Sequence, residues 1–369
     1  MALDRITLSR FRNHAETALD GARGFNLLVG ENGAGKTNVL EAISLLAPGR
    51  GLRRAALPEM AANGAANANV DAGGGGFAVG ASLALPDNAE PVRLGTYAQA
   101  HQPSRRRVRV NGSEASAISL GEWLAIGWLT PAMDRLFMDS AGGRRRFLDR
   151  LALAFDPAHA RHASRYENAL RERNRLLSDE RPLDHSWLDG IEAQLAEHGA
   201  ALATGRTTTL DRLSRMLEDL PEEPFARPLL SYDAGGPTER EALAEALRTA
   251  RQRERTAGRT LTGPHRDDLV VTMAGKGMPA ANCSTGEQKA MLIAIVLAHA
   301  ELAAKGRPNL LLLDEVAAHL DPLRREALFD RLRSSGAQVW MTGTELAPFD
   351  AIREEAAVWR VKDGAVTRL

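Results

Sequence analysis

The chain has 369 residues with 47 basic and 47 acidic side chains, so its net charge is zero and any nucleic-acid binding must come from local patches rather than a global field. That length permits two compact units with sizeable cores. A single cysteine, Cys283, excludes an internal disulfide framework and suits a reducing cytosol, so a cytoplasmic location is expected.

A strand is expected over Leu3–Leu8, and the opening is charged from Asp4 onward, which is unlike a leader peptide. The run Phe25-Asn26-Leu27-Leu28-Val29 predicts a buried strand that stops at Gly30. The adjoining segment, Gly30-Glu31-Asn32-Gly33-Ala34-Gly35-Lys36-Thr37, fits the phosphate-loop pattern G-x-x-x-x-G-K-[ST]. Glycines let the backbone curl so that its N–H groups face an anion, and the helix opening at Lys36 adds its positive end. Lys36 then reaches the β- and γ-phosphates and Thr37 offers a hydroxyl to Mg²⁺. Gly30, Asn32, Gly33, Ala34, Gly35, Lys36, Thr37 and Asn38 form the candidate nucleotide-binding set. The bland alternative is a glycine-rich turn before an ordinary helix.

The alanine- and asparagine-rich stretch from Ala61 to Asn69 and the run Gly73-Gly74-Gly75-Gly76 cannot bury much, and a mobile loop is expected there. Strands are expected next at Phe77–Leu85, Val92–Tyr97 and Arg107–Val110, the last alternating arginine with valine before Asn111-Gly112, a hairpin with one basic face. Arginines cluster at Arg50/Arg53/Arg54, Arg105/Arg106/Arg107/Arg109, Arg144/Arg145/Arg146 and Arg251/Arg253/Arg255/Arg259. Each cluster suits either phosphate contact or a solvated face with local ion pairs. No aromatic ladder interleaves them, which favours backbone contact over base stacking.

From Gly142 to about Arg259 nearly every window has helical spacing. Leu188, Ile191, Leu195, His198 and Leu202 step by 3 and 4, and Leu210, Leu213, Leu217 and Leu220 repeat the rhythm out of phase by one, which predicts a helix of about 35 residues and ~50 Å. No heptad run is long enough for a very long coiled coil. Strands return at Asp268–Met273, Leu310–Leu313, Gln338–Met341 and Ala356–Arg360, the last turning at Asp363-Gly364. The ATP-binding unit is therefore expected to be split, with residues 1–135 and 263–369 forming the head and residues 136–262 an inserted helical lobe. The apolar helix Ala290–Ala298 is too short to cross a bilayer, so no membrane partner is expected.

Two motifs in the last third carry chemistry. Leu310 to Leu313 read as a central parallel strand ending in Asp314 and Glu315, at the strand end where ligands bind. In P-loop enzymes such an aspartate holds Mg²⁺ and a following glutamate can act as the base that activates water. Upstream, Ser284-Thr285-Gly286-Glu287-Gln288-Lys289 opens an apolar helix and places Ser284 and Gly286 at a second anion-binding helix end; Ser284 or Thr285 also suits a plain N-cap worth about 1 kcal/mol.

One chain with two such helix ends, plus Val316-Ala317-Ala318-His319-Leu320-Asp321 after the acids, resembles the ATP-binding-cassette ATPases. Adding Leu8-Ser9-Arg10-Phe11-Arg12-Asn13-His14, the continuation Lys36-Thr37-Asn38-Val39-Leu40-Glu41-Ala42-Ile43, Leu261-Thr262-Gly263-Pro264-His265-Arg266-Asp267-Asp268 and Thr342-Gly343-Thr344-Glu345 narrows this. The ordered set resembles the RecF family of bacterial recombination mediators, related to the structural-maintenance-of-chromosomes ATPases. The resemblance implies an α/β cassette-type P-loop ATPase head, a mixed sheet with flanking helices, and an inserted helical lobe with a short coiled-coil-like arm. It implies Arg12 and Asn13 beside the nucleotide, Ser284 and Gly286 of one subunit closing over the γ-phosphate held by another, and Asp321 near the catalytic Glu315. Further implications are ATP and Mg²⁺ as cofactors, an ATP-dependent homodimer, weak DNA-stimulated ATPase activity, double-stranded DNA and single-strand gap junctions as targets, and RecR and RecO as partners. An ATPase head serving an SMC-like nuclease complex is the alternative. Two features depart from the cassette pattern: Gly127-Trp128-Leu129-Thr130-Pro131 falls where a glutamine-bearing loop belongs but has no glutamine, and Thr342-Gly343-Thr344 stands where transporters carry a switch histidine. Threonine cannot shuttle a proton as imidazole does, so slow turnover is expected.

Overall fold

A computed structural model describes residues 2–21, 24–62, 76–84, 90–179, 185–220, 223–303, 307–317 and 320–369. The chain divides into two compact units, one of Met1–Met133 with Val296–Leu369 and one of Asp134–Ile295. Residues 263–295 therefore group with the helical lobe and not with the C-terminal part of the head.

The first unit holds two six-stranded sheets among the described residues. One is antiparallel, in the order β2 (His14–Asp20), β1 (Ala2–Phe11), β4 (Phe77–Ala84), β5 (Val92–Gln99), β6 (Gln102–Val110) and β7 (Ser113–Ala115). Its strands β4 and β5 alternate buried residues with exposed or half-buried ones, as one wet face requires. The β6–β7 hairpin turns at Asn111 and Gly112, both with positive φ (49° and 83°).

The other sheet runs β15 (Ala365–Arg368), β14 (Ala356–Lys362), β3 (Phe25–Val29), β13 (Gln338–Gly343), β12 (Asn309–Leu313) and β8 (Ala125–Leu129). Apart from the β14–β15 hairpin all its pairs are parallel, and β3, β8, β12 and β13 are buried throughout, which explains why they are mostly apolar. Helix α1 (Lys36–Ser44) contributes Val39, Leu40 and Ile43 to one core with Leu3, Ile6 and Leu8 of the antiparallel sheet and Leu28, Leu310, Leu312 and Trp340 of the parallel one. Short helices α2 (Leu57–Met60) and α3 (Leu120–Trp123), the longer α9 (Pro322–Ser334) and, from Val296 onward, the end of α8 (Thr285–Ala303) also belong to this unit.

The second unit contains α4 (Ala141–Phe155), α5 (Ala158–Ser178), α6 (His185–Glu218), α7 (Arg240–Thr256) and the start of α8 (Thr285–Ala303), with an antiparallel sheet in the order β11 (Met278–Pro279), β10 (Asp268–Met273), β9 (Pro228–Asp233). Helix α6 has 34 residues, about 50 Å, as its leucine spacing predicts. Its buried Leu195 and Leu202 meet Tyr166 of α5 and Leu243 and Leu247 of α7.

Several sequence expectations need correction. Strand β9 lies inside the stretch read as continuously helical; it is a short edge strand, and six residues with half-buried alternation carry little periodic signal. Gly127 to Leu129 form the end of buried strand β8, so of the stretch 127–131 only Thr130 and Pro131 lie past the strand. Apart from Ala61, Ala62 and Gly76, the expected glycine- and alanine-rich loop lies outside the described residues.

Candidate nucleotide-binding site

Parallel pairing brings three strand ends to one edge. Leu313 stands opposite both Met341 and Leu129, and Met341 opposite Leu27, so the carboxyl ends of β3, β12 and β13 come together. Gly30 and Asp314 directly follow β3 and β12, and the Thr342–Gly343 pair closes β13, in the crevice where open α/β sheets bind ligands.

Gly30 donates its amide to Gly343 O at 3.2 Å, and a Cβ there would lie 2.1 Å from Val361 O, so only glycine lets the loop leave the sheet at this point. Gly35 caps α1 with φ +113°, in a conformation that side chains rarely adopt. Next to it Lys36 is buried, and its Nζ donates to Gly30 O at 2.7 Å and Glu31 O at 2.9 Å. Burial lowers its pKa, while the carboxylates of Glu315 and Asp314 act in the opposite direction. The loop thus presents an ammonium and a helix N-terminus together, the combination that a polyphosphate needs.

Asp314 is buried, and its Oδ1 accepts from Thr37 Oγ1 at 2.9 Å and from Thr342 Oγ1 at 2.8 Å. Its amide donates to Leu129 O at 2.9 Å, so β8 serves the site through its backbone. Glu315 comes next with φ +54° and donates its amide to Thr342 Oγ1 at 2.9 Å. Thr342 therefore fastens both acids by one hydroxyl, a role that the sequence pattern alone does not reveal.

The Thr37 hydroxyl and the Asp314 carboxylate are hard oxygen donors side by side, the small protein contribution that Mg²⁺ accepts when phosphates and water supply the rest. They fit the ion. Among the described residues no group of three or more His, Cys, Asp or Glu side chains is placed to hold a metal, so an all-protein cage is absent there.

Around the loop, Asn13 Nδ2 donates to Ala34 O at 3.0 Å and Asn38 Nδ2 to Asn13 Oδ1 at 2.7 Å. Arg12, with φ +54°, makes a bidentate pair with the fully buried Glu41 at 2.9 and 2.8 Å, and Arg53 joins the same carboxylate at 3.2 Å. His14, also fully buried, bonds Gly35 O at 3.0 Å and Thr17 Oγ1 at 3.1 Å beneath the loop. Glu41 and His14 lie within recognisable motifs, but their partnerships needed the fold. Asn32 and Gly33 are exposed at the loop tip. Asp321 N-caps α9 by accepting from Arg324 N at 3.0 Å, and His319 lies outside the described residues.

In the second unit Ser284 caps α8. Its Oγ accepts from Glu287 N at 3.3 Å, while Glu287 Oε2 accepts from both Ser284 N and Ser284 Oγ at 2.9 Å, a reciprocal capping box. Gly286 has nothing within 4 Å of a Cβ position. The motif around Gly263 packs the lobe: buried Asp267 accepts from Arg206 at 2.6 Å, Gly235 N at 2.8 Å and the Tyr232 hydroxyl.

Many clustered arginines have internal partners. Arg106 donates to Thr96 Oγ1 at 2.8 Å and to carbonyls of Leu45, Ala47 and Gly49, and burial brings its pKa down to about 10. Arg144 pairs with Asp268 at 2.8 and 2.6 Å, Arg145 donates to Asp267 O at 2.7 Å, and Arg251 pairs with Asp189 at 2.5 Å and with Glu192. Arg144 and Arg251 are thus held by local carboxylates, and Arg106 and Arg145 by hydroxyl or backbone carbonyl acceptors.

Fold and site together define a P-loop ATPase head of the RecF/RecN/SMC class, and the RecF/RecN/SMC N-terminal domain profile matches residues 2–367. Within it, the DNA replication and repair protein RecF of Mesorhizobium japonicum is 47% identical across 99% of this chain and 97% of its own, and that of Brucella suis is 47% identical across 100% and 96%. The chain belongs to the RecF family. A solved structure described as the recombination mediator RecF–ATP in the RecFOR pathway shares the fold with TM-score 0.83 and 24% identity, covering 100% of this chain and 97% of that one. An SMC head bound to the C-winged helix domain of ScpA matches with TM-score 0.57 and 15% identity over 100% and 98%. No helix among the described residues is long and apolar enough to cross a membrane.

Proposed function

We propose that this protein is an ATP-dependent DNA-binding switch of recombinational repair and replication restart. One observation carries the nucleotide part: Asp314 Oδ1 accepts from Thr37 and Thr342 beside the Lys36 loop, which gathers a cation, a metal-suited oxygen pair and a potential base, Glu315, at one sheet edge. Lys36 and the loop amides bind the β- and γ-phosphates. Bound Mg²⁺ supplies charge neutralisation on those phosphates, held from the protein side by Thr37 and Asp314. Ser284 and Gly286 of a second subunit close over the γ-phosphate, so ATP drives dimerisation on duplex DNA or at gap junctions. Glu315 takes a proton from attacking water, with Asp321 nearby, and hydrolysis reopens the pair.

Thr342 at the switch position has no imidazole to relay a proton, so the ATPase is weak, stimulated by DNA, and acts as a timer. A turnover of roughly tens per second would contradict this. The relatives are named for DNA replication and repair and the solved structure for a recombination mediator in the RecFOR pathway, which supports action with RecR and RecO; recombinase loading and a cytoplasmic setting belong to the same proposal. The test is gel filtration with MgATP and duplex DNA. Lys36→Ala removes charge-assisted bonds of roughly 1.5–3 kcal/mol each and is expected to abolish nucleotide-driven dimers, whereas Glu315→Gln is expected to trap them. A Glu315→Gln protein no more dimeric than wild type refutes the role given to Glu315.

A further inference from the structure

Lys276 sits in the turn between β10 and β11, and its Nζ donates to Glu287 Oε1 at 2.5 Å. Glu287 is the same carboxylate whose Oε2 takes both the amide and the hydroxyl proton of Ser284. The three residues form a line, ammonium to carboxylate to serine, at the N-terminus of α8. Lys276 first, and then the Ser284 amide and hydroxyl, hold the Glu287 pKa at about 2, so the carboxylate is charged at neutral pH. The Lys276 side chain is 51% exposed, and an ion pair on such a surface contributes little to folding.

Its chemistry matters more to an incoming phosphate. Ser284 has one hydroxyl proton, and a phosphate can receive it only by outcompeting Glu287. An uncompensated carboxylate in the first turn of the helix would also repel that phosphate and offset the attraction of the positive helix end. We infer that Lys276 is a positioning residue for the Ser284 end of α8: it weakens Glu287 as an acceptor and cancels its charge, so that Ser284 is free to turn its hydroxyl to the triphosphate of a second copy. This rests on the reading in which Ser284 caps a partner's nucleotide.

The experiment uses full-length protein carrying Glu315→Gln to hold dimers, with MgATP, in sedimentation velocity. Lys276→Ala is expected to weaken the dimer about tenfold at low ionic strength, and added salt is expected to narrow the gap to its parent, because salt screens the exposed like charge. ATP-analogue affinity at low protein concentration and melting temperature stay unchanged, and Lys276→Arg restores the dimer. Because Glu287→Gln keeps the capping box and removes the charge, Lys276→Ala in that background is expected to have no further effect. Dimerisation of Lys276→Ala equal to its parent, or a loss that persists with Glu287→Gln, overturns the inference. Ser284→Arg separates the two readings. If it abolishes dimers while Lys276→Ala does not, only the Lys276 role falls; if it leaves dimers intact, the capping role of Ser284 falls with it.

Discussion

Thr342→Val tests how the two acids are held. Valine nearly matches threonine in shape, so the change removes a hydroxyl and little else. The lost groups are a donor to Asp314 Oδ1 at 2.8 Å and an acceptor for Glu315 N at 2.9 Å, in a side chain that is 1% exposed. A bond to a carboxylate contributes about 1.5–3 kcal/mol, and stranding the part-buried Glu315 amide costs at most about 1–3 kcal/mol. Thr37 still serves Asp314, so the two terms do not simply add, and a loss of about 2–4 kcal/mol is expected. Urea unfolding of wild type, Thr342→Val and Thr342→Ser measures it, with serine keeping the hydroxyl and most of the stability. The same series, titrated with Mg²⁺ at fixed ATP, is expected to need more metal for Thr342→Val, since Asp314 is less firmly oriented. Valine stability within about 0.5 kcal/mol of wild type, with an unchanged Mg²⁺ requirement, refutes the role given to this hydroxyl.

Acid sensitivity is a second expectation. Burial holds the pKa values of His14 and His265 below the ordinary imidazole value, so the unfolded chain binds more protons in that window. Their contribution is complete above about pH 6.5 and is lost as pH falls from there toward the folded values. Urea midpoints between about pH 8 and about pH 5.5 check this, and His14→Gln is expected to flatten the slope; a slope unaffected by that change contradicts the assignment. DNA affinity provides a third: if the dimer neutralises several phosphates, log affinity falls with log salt by roughly 0.9 per contact, and a flat response removes the backbone-contact mode.

The phosphate loop was legible in the sequence because its chemistry is local: strand, glycines, lysine and threonine are consecutive. Strand β12 was legible for the same reason, since four leucines and then two acids need no partner to be recognised. Thr342 was not, because its meaning depends on β13 lying parallel beside β12 in the register that sets Met341 opposite Leu313. The arginine clusters stayed ambiguous in the sequence for a related reason. Arg106 stands in a basic run, yet its acceptors are carbonyls of Leu45, Ala47 and Gly49, well back along the chain. Arg144 likewise meets Asp268 across a separation of 124 residues. Charge patterning reports what a side chain carries, and only the fold reports what it faces.

Mixing two crippled chains tests the central claim most directly. Lys36→Ala lacks a working phosphate loop and Ser284→Arg lacks a working cap, and with Glu315→Gln in both, each alone is expected to stay monomeric with MgATP. Mixed, they are expected to form heterodimers, because the loop of the Ser284→Arg chain and the Ser284 end of the Lys36→Ala chain rebuild one complete site. No heterodimer in the mixture, or Ser284→Arg dimerising unaided, would contradict a nucleotide shared between two copies.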